Sequence, residues 1–159
     1  MMSAIHESPV GPLTLISNGV ALTHCEFENP RYRFEQALRG EDTVIVNTRR
    51  QLDEYFEGKR RAFELALAPQ GTPFQQRVWA ALLAIPYGAT RSYAQQAAAI
   101  GAPKAVRAVG LANGRNPIAI IIPCHRVIGA NGSLTGYGGG MARKRLLLDL
   151  EQGAMLVRC

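Results

Sequence analysis

The sequence predicts an α/β protein, in which a small N-terminal antiparallel sheet with helices precedes a mostly helical C-terminal domain that contains a helix-turn-helix. Alternating apolar runs separated by turn residues indicate strands near the N-terminus, whereas two capping-box motifs indicate helices after residue 71. The charge changes at the same place, because 10 of the 12 acidic residues lie within 1–70. We therefore expect two domains, at 1–70 and 71–159.

The N-terminal domain is predicted from short-range patterns. Its expected elements are turns at 8–12 and 18–19 between antiparallel strands, a strand at 21–27, helices at 30–38 and 47–56, and a further strand at 62–67. No pattern in this part is typical of a catalytic site. Cys25 is expected in the core, and with His6 and His24 it does not form a metal-ligand spacing. We expect neither a metal nor a cofactor.

The C-terminal domain has sharper local signals. Two capping boxes, each a hydroxyl residue followed three positions later by glutamine, open helices at Thr72 and Ser92. The first helix should end before Pro86 and the second at Gly101. A third helix, 104–113, follows a tight Gly-Ala-Pro turn, so the second and third helices predict a helix-turn-helix.

The chain after this motif contains the candidate chemistry. The β-branched run 118–122 predicts a buried strand that ends at Pro123, which would leave Cys124 facing a cleft. A glycine-rich loop follows through Gly140, and an amphipathic helix is predicted over 141–151.

Composition narrows the class of protein. No apolar stretch is long enough to span a membrane, and the N-terminus does not have the pattern of a signal peptide, so we expect a cytoplasmic protein. The three cysteines match no disulfide framework. Residues 71–159 contain 10 basic and two acidic residues, which suits a polyanionic partner but also suits a soluble basic domain with no nucleic-acid partner.

Cys124 is either a small core residue or a nucleophile. The adjacent His125 and Arg126 favour the second interpretation, because they could lower the pKa of the thiol or accept its proton. Asp149 and Glu151 are the carboxylates of this part that could orient the histidine. A Cys-His-carboxylate arrangement is shared by thiol proteases and many transferases, so on its own it does not select a reaction.

These residues resemble the active-site signature of the O6-alkylguanine-DNA alkyltransferases. The resemblance covers most of residues 72–151 and is weak over 1–70, where SPVGPLTL carries it. The matching segments, in order, are FQQRVWAALLAIPYGATRSYAQQAA, RAVGLANGRNP, IIPCHRVIGANGSLTGYGGG and RKRLLLDLE. The resemblance implies a ribonuclease H-like N-terminal sheet and a winged-helix-like arrangement around the helix-turn-helix.

The resemblance also implies a reaction. Cys124 would take the alkyl group from O6-alkylguanine in double-stranded DNA, and from O4-alkylthymine, in one irreversible and stoichiometric step of DNA repair. His125 would relay the thiol proton through water, and Glu151 would orient the imidazole. The residues themselves allow either a direct contact between His125 and the sulfur or a contact through water. The resemblance further suggests a monomer, and leaves cooperative binding along DNA open.

The remaining roles follow from the same resemblance. The guanine would be held by Tyr93, Tyr137, the backbone N–H of Gly138 and the carbonyls of Cys124 and Val127. Base flipping from the minor groove would use Tyr93 against a phosphate and Arg107 in the gap left by the base. Asn116 would link the recognition helix to the active-site loop, or simply end that helix. Ala108 would allow close approach to the minor groove, or would pack inside the protein. Backbone-phosphate contacts or solvated charges would be Lys104, Arg115, Arg143, Lys144 and Arg145.

Three alternatives fit less of the sequence. A non-reactive relative that only binds alkylated DNA would not have the active-site cysteine, which is present here as Cys124. A helix-turn-helix transcription factor does not explain Tyr137, Glu151 and the glycine loop at their spacings. A thiol hydrolase would need an oxyanion-binding pattern that the sequence does not show.

Overall fold

The computed structural model describes residues 1–27, 38–132, 137 and 140–153. They group into two compact units. One comprises Met1–Gln70 with Pro117–Ala119, and the other comprises Gly71–Asn116 with the chain from Ile120 onward. Across the described ranges, no helix is long and apolar enough to cross a membrane.

The first unit contains a four-stranded sheet. Its strands, in chain order, are β1 Met2–His6, β2 Leu13–Ser17, β3 Leu22–Phe27 and β4 Leu38–Arg39, and their order in the sheet is β3-β2-β1-β4. The first three strands are antiparallel, as predicted, with Leu15 opposite both Ala4 and Cys25. The fourth joins β1 in parallel. The predicted turns at 8–12 and 18–19 connect these strands.

Helix α1 spans Thr43–Phe56 and begins four residues before the prediction. Its start is fixed by Asp42, whose side chain accepts a hydrogen bond from the backbone N–H of Ile45 at 2.9 Å. The predicted strand at 62–67 is wrong, because in that segment only Leu67 pairs, in a single bridge with Leu22. The predicted helix at 30–38 lies outside the described residues except for Leu38, which begins β4.

The second unit is mostly helical, as predicted. Its elements are α2 Pro73–Leu83, β5 Arg91–Ser92, α3 Tyr93–Ala99, α4 Val106–Gly114, a 3-10 helix Cys124–Arg126, β6 Val127–Ile128 and α5 Met141–Glu151. Both predicted capping boxes are present, one at Thr72 and one at Ser92. Strands β5 and β6 form a short parallel pair. Helix α4 begins two residues later than predicted, at the end of the turn that contains Pro103.

The helices of the helix-turn-helix are joined by a buried amide pair. Gln96 on α3 and Asn113 on α4 donate to each other's carbonyl oxygens, both at 2.8 Å. The indole N–H of Trp79 on α2 donates to the carbonyl of Ala112 at 2.9 Å. These bonds fix α4 against both of its neighbouring helices.

The run 118–122 is buried, as predicted, but it is not a strand. Only Ile118 pairs, in one bridge with Cys25, and the chain then turns at Ile120, whose φ is 73°. A β-branched residue rarely adopts this left-handed conformation, so the turn carries backbone strain. The buried, apolar character of the run suits a turn enclosed by protein as well as it suits a strand. A turn, not the end of a strand, therefore precedes Cys124.

Candidate active site

Cys124 is the first residue of the 3-10 helix and is partly exposed. The amide of Asn116 donates to its sulfur at 3.3 Å and to the carbonyl of Ile122 at 2.7 Å. Asn116 follows the end of α4 by two residues. One side chain thus joins the end of the helix-turn-helix to the loop that carries the thiol.

The surroundings of Cys124 favour the protonated thiol at rest. Burial raises the pKa of the thiol above its usual value, and the Asn116 hydrogen bond and the positive charge of Lys144 only partly offset this effect. The same two groups would stabilise a thiolate once it forms. A base is therefore needed to remove the proton during a reaction at neutral pH.

His125 is placed to be that base. It is completely buried, and its Nε2 lies 2.6 Å from Oε2 of Glu151 at the end of α5. A carboxylate only accepts, so Nε2 carries the proton and Nδ1 is left as an acceptor. Nδ1 has no hydrogen-bond partner among the described residues. Burial lowers the pKa of His125, while the hydrogen bond and charge of Glu151 raise it. The effect of burial is the larger one and favours a neutral imidazole.

Arg126 is directed at Glu151. Its Nε donates to Oε1 at 2.7 Å and its Nη2 to Oε2 at 3.1 Å, while Nη1 donates to the carbonyl of Ile85 at 2.7 Å. The guanidinium also lies 5.8 Å from the centre of the Tyr87 ring. The sequence analysis expected Arg126 to lower the pKa of the Cys124 thiol. In the structure, Lys144 is the cation whose charge lowers that pKa.

The prediction that Lys144 is a surface cation is wrong. Its side chain is 1% exposed, and Nζ donates to the carbonyl of Val127 at 2.6 Å. Nζ also lies 6.0 Å from the ring centre of Tyr137. Burial lowers the pKa of Lys144, and the charge of Cys124 opposes that shift. The signal was present in the sequence, because Lys144 shares helical spacing with three buried positions of α5, namely Leu147, Leu148 and Glu151.

The carbonyls predicted to receive a guanine amine already have one partner each. Val127 accepts from Lys144, and Cys124 accepts from the backbone N–H of Val127. A carbonyl oxygen has two lone pairs, so each can accept one further hydrogen bond. Tyr137 is half-buried near Lys144. Gly138 lies outside the described residues.

Tyr93 is placed on the helix-turn-helix. It is the first residue of α3, and its ring lies against Gly110 of α4, where an added Cβ would be 3.8 Å away. The structure therefore brings together five of the predicted site residues, namely Asn116, Cys124, His125, Val127 and Glu151. Tyr137 lies near Lys144, which in turn bonds to Val127. Tyr93 lies against α4.

The outer face of α4 is basic and exposed. Helical spacing puts Arg107, Ala108 and Leu111 on one exposed face of α4, and the exposed Lys104 and Arg115 lie just before and just after the helix. The sequence prediction did not include Leu111, which is 68% exposed. No acidic residue occurs between residues 71 and 148, so this face has no competing negative charge from its own segment. Such a surface suits the phosphates of a nucleic acid.

Comparison with known proteins agrees with this geometry. Residues 73–153 match the family model of the 6-O-methylguanine DNA methyltransferase DNA-binding domain, and residues 1–69 match the ribonuclease-like domain of the same family. The methylated-DNA–protein-cysteine methyltransferase of Mycobacterium tuberculosis H37Rv is 55% identical over 147 residues, which cover 92% of this chain and 89% of that protein. The enzyme of the same name from Methanosarcina barkeri is 52% identical over 150 residues, covering 93% and 95%.

A solved structure is equally similar. The crystal structure of Mycobacterium tuberculosis OGT in complex with DNA superposes with a TM-score of 0.91 at 52% identity, and the match covers 96% of this chain and 94% of that one. The predicted fold class and family are thereby confirmed. The chain belongs to the 6-O-methylguanine DNA methyltransferase family, and its enzymatic class is that of the methylated-DNA–protein-cysteine methyltransferases.

Proposed function

We propose that this DNA-repair protein transfers the alkyl group of O6-alkylguanine, and of O4-alkylthymine, to Cys124 in one irreversible and stoichiometric step. The observation that carries the proposal is the chain of contacts around the thiol. Asn116 donates to the sulfur, and the neighbouring His125 is fixed by Glu151 with Nδ1 as a buried acceptor. A thiol next to an oriented base is the arrangement that nucleophilic catalysis requires.

The step conserves atoms and charge. The proton of Cys124 passes to Nδ1 of His125 through a water molecule, and the sulfur attacks the alkyl carbon. A carbon–sulfur bond forms as the bond from that carbon to O6 breaks, and its electron pair stays on the guanine. The guanine anion then takes up one proton, which balances the proton that His125 received and returns the imidazole to its neutral form, and the guanine leaves intact. The product thioether is stable, so each protein molecule reacts once.

Two features make the thiolate available only when it is needed. Because burial raises the pKa of Cys124, the resting thiol is protected from unrelated electrophiles. As the proton leaves, the Asn116 amide and the Lys144 ammonium stabilise the developing negative charge on sulfur.

The guanine would be held by polar groups around the thiol. The Tyr137 hydroxyl and the Gly138 backbone N–H would donate to the departing base, and the free lone pairs of the Cys124 and Val127 carbonyls would accept from its exocyclic amine. Lys144 holds the Val127 carbonyl in place through its 2.6 Å hydrogen bond. A guanine with its alkyl group on O6 is thereby matched at both of its polar edges.

DNA would meet the exposed basic face of α4. Lys104 and Arg115 would contact phosphates, and Ala108 would allow close approach to the minor groove. Arg107 would fill the gap left by the flipped nucleotide, while Tyr93 presses on its phosphate. Flipping costs a few kcal/mol, which these contacts would have to supply.

The proposal also covers the rest of the chain. Residues 71–159 would carry DNA binding and chemistry, and residues 1–70 would support them. The protein would act as a monomer in the cytoplasm, where a reducing environment keeps the Cys124 thiol free.

The test is the mass of the intact protein after mixing with duplex DNA that contains one O6-methylguanine. The mass should rise by one methylene, and peptide mapping should place it on Cys124. Cys124→Ala should leave both protein and lesion unchanged, whereas the matched control Cys25→Ala should react normally, since Cys25 is completely buried. A methyl group on a residue other than Cys124, or an unchanged protein mass, would contradict the proposal.

A further inference from the structure

Arg126 contacts Glu151 of the candidate proton relay, but the proposed reaction gives this arginine no role. It is buried, and it donates hydrogen bonds to two acceptors, the Glu151 carboxylate and the carbonyl of Ile85. The Ile85 bond holds the guanidinium at a fixed place. The paired contacts to both oxygens of Glu151 then fix the plane of the carboxylate.

Oxygen Oε2 of Glu151 is shared between two donors. It accepts from Nη2 of Arg126 at 3.1 Å and faces Nε2 of His125 at 2.6 Å. Arg126 therefore helps to orient His125, because it fixes the carboxylate of Glu151 that holds the imidazole. The positive charge of Arg126 lies against the buried Glu151 carboxylate and balances its negative charge.

Removal of the Arg126 charge would have one of two consequences, and each would place a proton on Nδ1 of His125. Without the charge of Arg126, the buried Glu151 carboxylate would draw a proton onto the imidazole, which would then carry hydrogen on both nitrogens. Alternatively Glu151 could itself take up a proton and donate it to Nε2, which would move the imidazole hydrogen to Nδ1. In either case Nδ1 can no longer accept a proton from Cys124.

We propose that Arg126 is a positioning residue, which keeps Glu151 ionised and aimed at Nε2 so that Nδ1 of His125 stays free to receive the proton of Cys124. This inference rests on the proposed function. It assigns Arg126 no contact with the substrate.

The charged groups around His125 support the balance. Glu151 and Lys144 face it from α5, and Arg126 and Cys124 flank it in the 3-10 helix. The charges of Arg126 and Lys144 both lower the pKa of His125, while Glu151 raises it. Without Arg126 the pKa of His125 would rise, and the protonated, inactive form would extend to higher pH.

The experiment compares Arg126→Met, which removes the charge, with Arg126→Lys, which keeps it but loses the paired contacts. Arg77→Met is the matched control, because Arg77 is an exposed arginine that also donates to a backbone carbonyl, that of Ile100. All variants carry Cys25→Ala. The rate of Cys124 carbamidomethylation by iodoacetamide is measured between about pH 5 and 9, a range that spans histidine titration. Methyl transfer from O6-methylguanine duplex is measured in parallel.

Arg126→Met should move the acidic limb of the iodoacetamide profile upward by about one pH unit and slow the reaction near neutrality about tenfold. Arg126→Lys should recover part of the loss, and Arg77→Met should match the parent. Folding is checked by thermal melting, and if Arg126→Met does not fold, Arg126→Lys must still shift the profile. A folded variant whose profile overlays that of the parent overturns the inference. Failure of methyl transfer with a normal iodoacetamide profile in the parent would instead count against the proposed function.

Discussion

The amide pair between Gln96 and Asn113 gives a stability prediction that does not depend on any reaction. Asn113→Ala removes two buried hydrogen bonds of 2.8 Å and leaves the amide of Gln96 without those partners. Each bond contributes about 1 kcal/mol, and an unsatisfied buried polar group costs about 1–3 kcal/mol. The free energy of unfolding should therefore fall by about 3–5 kcal/mol.

The assay is urea unfolding followed by the fluorescence of Trp79, the only tryptophan in the sequence. Its indole N–H donates to the Ala112 carbonyl, so the signal reports on the unit that contains the pair. Adding Gln96→Met to Asn113→Ala should cost little more, with a coupling of about 1–3 kcal/mol between the two sites. The exposed control Gln76→Ala should change stability by less than about 0.5 kcal/mol. Strictly additive losses for Gln96 and Asn113, or a loss as small as the control's, would refute this reasoning.

Three further predictions concern separate parts of the chain. Lys144→Met should slow methyl transfer near neutral pH and less at alkaline pH, because without that charge the pKa of Cys124 rises; rates that fall equally at all pH values would contradict this. Arg107→Ala should weaken transfer from duplex DNA more than transfer from free O6-methylguanine base, and equal losses would argue against its base-flipping role. Asp42→Ala should destabilise the first unit by about 1–2 kcal/mol in chemical unfolding followed by circular dichroism, since it caps α1, whereas Glu41→Ala, which removes a partly exposed ion pair with Arg49, should cost about 1 kcal/mol or less.

The elements that could be predicted from the sequence are those fixed by neighbouring residues. The capping boxes at Thr72 and Ser92 are closed within three positions, so local chemistry specifies them. The run 118–122 shows the limit of this approach. Its burial follows from composition, but the positive φ of Ile120 depends on the protein packed around it.

The active-site contacts show the same division. Resemblance selected Cys124, His125 and Glu151, and the 2.6 Å contact between His125 and Glu151 joins residues 26 positions apart. The clamp of Arg126 on Glu151 and the burial of Lys144 depend on how α5 packs against the 3-10 helix. A charged residue is predicted to lie on the surface unless its buried partner is known. That partner cannot be identified from the local sequence, because it is distant along the chain.

The stoichiometry of methyl transfer tests the central claim most directly. With O6-methylguanine duplex in large excess, the methyl groups lost from DNA are counted against the protein present. We predict that the reaction stops at one methyl group per protein molecule, with all of it on Cys124. Continued loss of methyl groups beyond one equivalent would contradict an irreversible transfer to that sulfur.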